Sequence, residues 1–349
     1  MRRRGARSRG SPGACAVARR GTRKTPTGAR FGQGLDDVGP RSAPCSEAAE
    51  RRARFGRSAT APLEERRAMS LPPRKLFLAP ALLAAALAGC ASLIPPDPNE
   101  AFVGREAPRF HVYPVLGRKI FAAEIGPQDG PPVLFVHGSP GSWGVAASLM
   151  TDPLLAGRVH WIAVDRPGFG RSGAGRLETS LLRQAAMLKK VLEQAAPGRK
   201  AIVAKHSLGG PVAARLAMDA PSTVRGLVLV AGAVDPAQER TTWYQKVARW
   251  RWVRAILPKR FNVANDEIRP LKRELEKMLP FWQKIRIPVE IIQGDADALV
   301  APENADFAAR MLTGTDVHVT RVPDQGHRIP TERPDLIRDA VVRLLEGER

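Results

Sequence analysis

Residues Ala201–Gly210 read AIVAKHSLGG, an apolar run that stops on Ser207 and passes through Leu208 and two glycines into a helical pattern. This is the signature of a buried strand turning sharply into a helix. A serine on such a turn projects its hydroxyl outward, while the following backbone N–H and the helix N-terminus face any negative charge that develops beside it. The turn brings backbones close together, and Gly209 and Gly210 meet that need. Lys205 is the atypical flank, because its long side chain must leave a crowded turn. On these residues alone, Ser207 would also serve as an ordinary helix N-cap.

Outward from this stretch, short apolar runs alternate with helical patterns, as in βαβ units with a parallel sheet. Expected strands are 110–115, 120–125, 133–137, 161–165, 201–205, 226–230, 289–293 and 317–322. The first two are joined by a short Gly-containing turn and should pair antiparallel at an edge. The later runs are nearly continuous in apolar residues, as strands covered on both faces are. Leu181, Ala185, Leu188 and Leu192 recur at helical spacing, as do Leu336, Ala340 and Leu344.

Four further stretches lie at strand ends. Val133–Ser142 (VLFVHGSPGS) places His137, Gly138 and Ser139 after a strand, and Asp165–Gly173 reads DRPGFGRSG. The run GDADALV holds Asp295 and Asp297, and PDQGHRIPTERP sets His327 in the loop before the final helix. His318 and His160 belong to strands, His111 to an edge strand, and His137 and His206 to the loops they shape.

Together these stretches, in this order from His137 to the C-terminus, resemble the α/β-hydrolase superfamily of serine hydrolases, esterases and lipases above all. The resemblance implies an α/β-hydrolase fold, a mostly parallel sheet of about eight strands flanked by helices with a small helical cap. In the family the nucleophile elbow reads GxSxG, and this chain has Lys205 at the first glycine. The family order is nucleophile, acid, histidine, which implies Ser207 as nucleophile, His327 as base and Asp297, at the GxxD position, as orienting acid. Asp235 and Asp295 are the alternative acids. The HG loop and the elbow imply an oxyanion hole from the N–H groups of Ser139 and Leu208. DRPGFGRSG resembles the DxxGxGxS loop and reads as structural. Haloalkane dehalogenases and epoxide hydrolases carry Asp where this chain has Ser207.

The implied chemistry is acyl transfer from a carboxylic ester or lipid-like substrate through an acyl-enzyme, with no metal and no organic cofactor. Two other readings stand beside it. One is a peptidase resembling proline iminopeptidases, or an acyltransferase; the other is a non-catalytic binding lipoprotein of the same fold.

Residues from about 235 to 287 interrupt the alternation and read as the helical cap. Trp243, Val247 and Trp250 share one helical face, and Leu271, Leu275 and Met278 another. With Lys246, Arg249, Arg251, Arg254, Lys259 and Arg260, this segment reads either as a lid resting on anionic lipid or as a solvated face over packed tryptophans.

The net charge of +21 suggests nucleic acid until it is located, because residues 1–68 contribute +11 and the remainder +10. Residues 1–68 are rich in Arg, Gly, Ser and Pro, too poor in apolar side chains to fold, and read as a disordered basic leader. Met69 opens a second plausible start. Arg74 and Lys75 precede the apolar run 76–88, too short to span a bilayer, and Leu87, Ala88, Gly89 and Cys90 resemble a bacterial lipobox. The expectations are translation from Met69, a lipoprotein signal peptide over 69–89, lipidation at Cys90 and a linker over 90–108. They place the domain 109–349 in the bacterial cell envelope, on a membrane through its anchor and with no nucleic-acid partner. The three cysteines, Cys15, Cys45 and Cys90, all precede that domain, so no disulfide can hold it.

Overall fold

In the computed structural model, residues 97–240 and 242–347 are described. The stretches expected to be a leader and a signal peptide, and Cys90, lie outside them.

Eight strands form one sheet in the order β1-β2-β4-β3-β5-β6-β7-β8. They are β1 Arg109–Val115, β2 Arg118–Ile125, β3 Pro132–Val136, β4 His160–Val164, β5 Ala201–His206, β6 Val224–Val230, β7 Val289–Gly294 and β8 Val317–Val322. β2 pairs antiparallel with both β1 and β4, and every other pair is parallel. Each expected strand is present to within two residues. Strands β3, β4 and β5 are buried almost throughout, which is why they read as unbroken apolar runs.

The helices are α1 Ala147–Met150, α2 Leu181–Ala195, α3 Gly209–Asp219, α4 Trp243–Val247, α5 Arg251–Ile256, α6 Lys259–Ile268, α7 Leu271–Glu276, α8 Glu303–Met311, α9 Ile329–Glu332 and α10 Pro334–Glu346. α2, α3 and α8 bury their apolar faces in one core layer against the sheet. α1 and α10 form the other layer. α2 shows how the sequence builds such an element. Ser180 caps it by accepting the Arg183 N–H, and Leu181, Ala185, Leu188 and Leu192 all point into the core.

Chain order reverses at β3, whose successor β4 lies on one side and β5 on the other. Open α/β sheets place their sites at the carboxyl ends of strands beside such a switch point. The HGSPG loop and the elbow leave the sheet there.

Two expected features differ. The stretch 90–108 is not linker to its end, because Pro98–Phe102 forms a 3₁₀ turn and buries Phe102 against Trp143. The proposed cap also divides. Leu271, Leu275, Met278 and Trp282 join the α2–α3 core layer, so its second half is part of the domain body. Its first half is two short helices, α4 and α5, and Trp243, Trp250 and Trp252 are 74%, 60% and 80% exposed. The turn after Val247 breaks the helical face that spacing implied, and no tryptophan core forms there.

The elbow's seat is a close backbone contact. A Cβ on Gly209 would lie 2.5 Å from the Val136 carbonyl oxygen and 2.8 Å from that of His137. Both are main-chain atoms of the central strand and its loop, so neither can swing aside. Gly209→Ala should destabilise the domain by about 1–3 kcal/mol, read as a lower urea midpoint with an unchanged m-value.

Candidate active site

Ser207 follows β5 with φ of 53°, in the left-handed region that costs a non-glycine residue roughly 1–3 kcal/mol. Two hydrogen bonds hold it there. Its N–H donates to the Val230 carbonyl at 3.0 Å, and its own carbonyl accepts the Gly210 N–H at 2.8 Å. The elbow expected from AIVAKHSLGG therefore forms, and Lys205 does not prevent it.

The reason is where Lys205 goes. Ala201, Val203 and Lys205 alternate onto the α3 face of the sheet, and the Lys205 side chain is fully buried there. A Cβ on Gly210 or Gly232 would lie 2.5 or 2.0 Å from its Nζ. These two glycines are thus the exit that a long side chain needs. Nζ donates to the Val230 carbonyl at 3.4 Å, the acceptor that also takes the Ser207 N–H. Burial pushes the amine far below its usual pKa of 10.5.

His327 comes to the elbow from the loop after β8. Its backbone carbonyl accepts from His206 Nε2 at 2.8 Å, and the two rings lie 4.6 Å apart between centroids. His327 Nδ1 donates to Asp297 Oδ2 at 2.7 Å, which leaves Nε2 as the ring's acceptor. Asp297 is buried after β7, and its Oδ1 accepts the Leu299 and Val300 N–H groups at 2.9 Å each. Burial alone would raise its pKa. The His327 hydrogen bond and charge, with the two backbone donors, outweigh burial and hold the carboxyl below its ordinary value.

The alternative acids are engaged elsewhere. Asp295 pairs with Arg321 at 2.7 Å on the surface. Asp235 accepts the Ala237 N–H at 2.8 Å, and its backbone N–H donates to Asn304 Oδ1, also at 2.8 Å.

The HGSPG loop packs directly on the elbow, since a Cβ on Gly138 would stand 2.8 Å from Ser207 Cβ. Leu208 is the buried residue just before α3. Ser139 Oγ is buried without a hydrogen-bond partner. His137 is neutral. Its Nε2 accepts the Arg166 N–H at 2.9 Å and its Nδ1 donates to the Gly138 carbonyl at 2.6 Å. Burial, then the Arg166 charge, push its pKa to about 3.

The DRPGFGRSG loop is a scaffold, as read from sequence. Asp165 accepts the Trp143 and Arg171 N–H groups, and Ser172 Oγ accepts that of Phe121. Arg166, however, is fully buried against Glu267 of α6. Spacing gave no sign of that partner, 101 residues away. An arginine inside a buried glycine-rich loop was the available hint that some carboxylate must meet it.

Among the described residues, no group of three or more His, Cys, Asp or Glu is placed to hold a metal. None of the described helices is long and apolar enough to cross a membrane.

Lys205 has a measurable consequence. Burial disfavours its charged form in the fold, whereas the unfolded chain keeps the ordinary affinity for the proton, so the unfolded state binds more protons and stability rises with pH towards 10.5. Wild type should gain up to about 1.4 kcal/mol per pH unit between about pH 8 and 10. Lys205→Met should be more stable at pH 8 and lack this gain in urea melts across the series.

A doubly covered, mostly parallel sheet with a serine at positive φ after one strand, and a His–Asp pair delivered by two later loops, has the layout of an α/β hydrolase. Residues 133–340 match the Alpha/beta hydrolase family, and the chain belongs to that family. It is 28% identical over 201 residues to a haloalkane dehalogenase of Bradyrhizobium diazoefficiens, covering 58% of this chain and 55% of that enzyme. It is 26% identical over 275 residues to the dihydrolipoyllysine-residue acetyltransferase component of an acetoin cleaving system from Pseudomonas putida, covering 72% and 70%. It is 38% identical over 103 residues to a pimeloyl-[acyl-carrier protein] methyl ester esterase of Klebsiella pneumoniae, covering 29% and 36%. Against several of these relatives, then, the chain spans about half of their length or less. Among solved structures, an epoxide hydrolase superposes with a TM-score of 0.58 at 18% identity, covering 69% of this chain and all of that one. A carboxylesterase from Bacillus subtilis superposes at 0.52 and 18%, covering 72% and 97%. At such identities these two speak for the fold.

Proposed function

We propose that this hydrolase cleaves carboxylic esters through a Ser207–His327–Asp297 triad and an acyl-enzyme. The observation that carries the reading is the 2.7 Å bond from His327 Nδ1 to buried Asp297, set beside a serine held at positive φ. Asp297 accepts the imidazole N–H, fixes the tautomer and stabilises the imidazolium. His327 Nε2 then takes the Ser207 proton as Oγ attacks the ester carbonyl. The N–H groups of Ser139 and Leu208 receive the oxyanion, the alcohol leaves with the proton from His327, and water repeats the cycle on the acyl-enzyme.

Side-chain identity at the elbow favours acyl transfer over the halide displacement that one relative's name implies. Ser207 offers a hydroxyl where that branch carries a carboxylate. The buried, unpartnered Ser139 hydroxyl suits a site in which substrate supplies a polar atom. Transfer of the acyl group to an acceptor other than water would use the same residues, and product analysis separates the two.

A fluorophosphonate probe should label the domain at Ser207, and Ser207→Ala should abolish labelling. Asp297→Asn should keep the fold yet lower kcat on p-nitrophenyl esters by about 10⁴-fold. Labelling that survives Ser207→Ala would overturn the assignment, as would full activity in Asp297→Asn.

We infer further that the enzyme works against an anionic membrane, and the cap supports that reading. Trp250, Trp252 and Ile256 are 60–80% exposed on and beside α5. Beside it, a cleft of about 1010 Å³ is lined by Arg249, Arg254, Arg269, Lys272 and Arg273 together with Asp266 and Glu276, Arg254 being paired with Asp266. Aromatic side chains beside a cationic cleft suit the headgroup region of anionic lipid. Lipidation at Cys90 would add a covalent anchor, read out as palmitate incorporation that Cys90→Ser removes. The domain should co-sediment with phosphatidylglycerol-containing vesicles and not with phosphatidylcholine alone. Trp250→Ala/Trp252→Ala should cut that binding at least about fivefold, at roughly 0.8 kcal/mol per buried CH₂ equivalent. Equal binding to both vesicle types would remove the membrane from the reading.

A further inference from the structure

The Arg166 guanidinium has no exposure, and its contacts reach both sides of the site. Nη1 and Nη2 donate to Glu267 Oε1 and Oε2 at 2.6 and 2.9 Å, a bidentate pair with helix α6. Nη1 also donates to Gln184 Oε1 at 3.1 Å, and Gln184 Nε2 returns a bond to Glu267 Oε1 at 3.0 Å. On the other side, Nη2 donates to the Gly138 carbonyl at 3.3 Å. That carbonyl also accepts from His137 Nδ1, whose tautomer is set by the Arg166 backbone N–H donating to Nε2.

The Gly138 carbonyl shares one trans peptide unit with the Ser139 N–H, and the two groups point in opposite directions. Two donors on the carbonyl therefore fix the direction of the N–H. Hydrogen bonding at the carbonyl, one donor being charged, also polarises the unit and strengthens the N–H as a donor. The loop so oriented rests on Ser207 through Gly138. Helix α6, for its part, packs Val263 and Ala264 on Phe169 of the loop that carries Arg166. The guanidinium lies 5.1 Å from the centre of the Phe169 ring.

We propose that Arg166 is a positioning residue for the oxyanion hole: it holds the Gly138 carbonyl so that the Ser139 N–H faces the oxygen of the carbonyl that Ser207 attacks. Its pair with Glu267 makes that aim depend on the seating of α6. This rests on the acyl-transfer reading above.

The test replaces both partners, because a lone buried charge would unfold the site whereas an apolar pair of similar volume is tolerated. Arg166→Met/Glu267→Leu should remain folded by circular dichroism. It should lower kcat for p-nitrophenyl butyrate about 10- to 100-fold, since loss of a whole oxyanion donor costs 10²–10³. KM should stay within about twofold, because the interaction forms only as the oxyanion develops. An alkyl trifluoromethyl ketone adds to Ser207 Oγ as a tetrahedral hemiketal, and its inhibition constant should weaken by the same factor as kcat. Arg166→Lys keeps a charge opposite Glu267 but cannot fork to Glu267 and the Gly138 carbonyl at once, so it should move both quantities in the same direction by a smaller factor, and it decides the matter if the double variant does not fold. Unchanged kcat and unchanged ketone affinity in a folded variant would overturn the proposal. So would a loss confined to KM, which is what a merely structural role in the substrate pocket would give. Absence of fluorophosphonate labelling at Ser207 in the wild type would instead bring down the acyl-transfer reading beneath it.

Discussion

The left-handed backbone of Ser207 is the constraint on which the rest of the site depends. A single strained residue at the end of β5 turns the chain from strand to helix and leaves the hydroxyl where flanking loops can meet it. The strain persists because the surroundings over-determine it. The β6 carbonyl at Val230 takes the Ser207 N–H, and α3 is pressed onto the end of β3 at a distance only Gly209 allows. The core layers on both faces of the sheet supply the stability that offsets that cost.

Around this point the loops have divided roles. One brings a buried carboxylate that accepts from a histidine, two backbone amides and the Gln293 side-chain amide. Another brings the histidine, tied by its carbonyl to His206 of the elbow itself. A third, HGSPG, lies on the elbow and is braced by Arg166. Buried polar groups are costly to leave unpaired, and the partners that most of these groups find are what set their directions.

The buried Arg166–Glu267 pair belongs to the same logic. Desolvating two charges is costly, and an apolar pair would stabilise the domain as well or better. Its geometry gives direction, since a forked guanidinium satisfies Glu267, Gln184 and the Gly138 carbonyl at once. Lys205 is a contrasting case. It too is buried, but it lacks a carboxylate and is accommodated by losing its charge beside two glycines.

Much of this was legible in the chain. Unbroken apolar runs marked the strands because both faces of the sheet are covered, and the glycines of AIVAKHSLGG marked a turn where backbones nearly touch. The spacing of Ser207, Asp297 and His327 at strand ends matched the family order, because chain order and strand order are linked in this topology. Four things were decided only in three dimensions: the acid that meets His327, the exit route of Lys205, the half of the cap that belongs to the core, and the partner of Arg166. Periodicity reports which face of an element is apolar. It does not report what a polar side chain will meet after the chain has closed loops of 30 residues, as from Asp297 to His327, or of 101, as from Arg166 to Glu267. Those pairings exist only because the sheet brings the loop ends together.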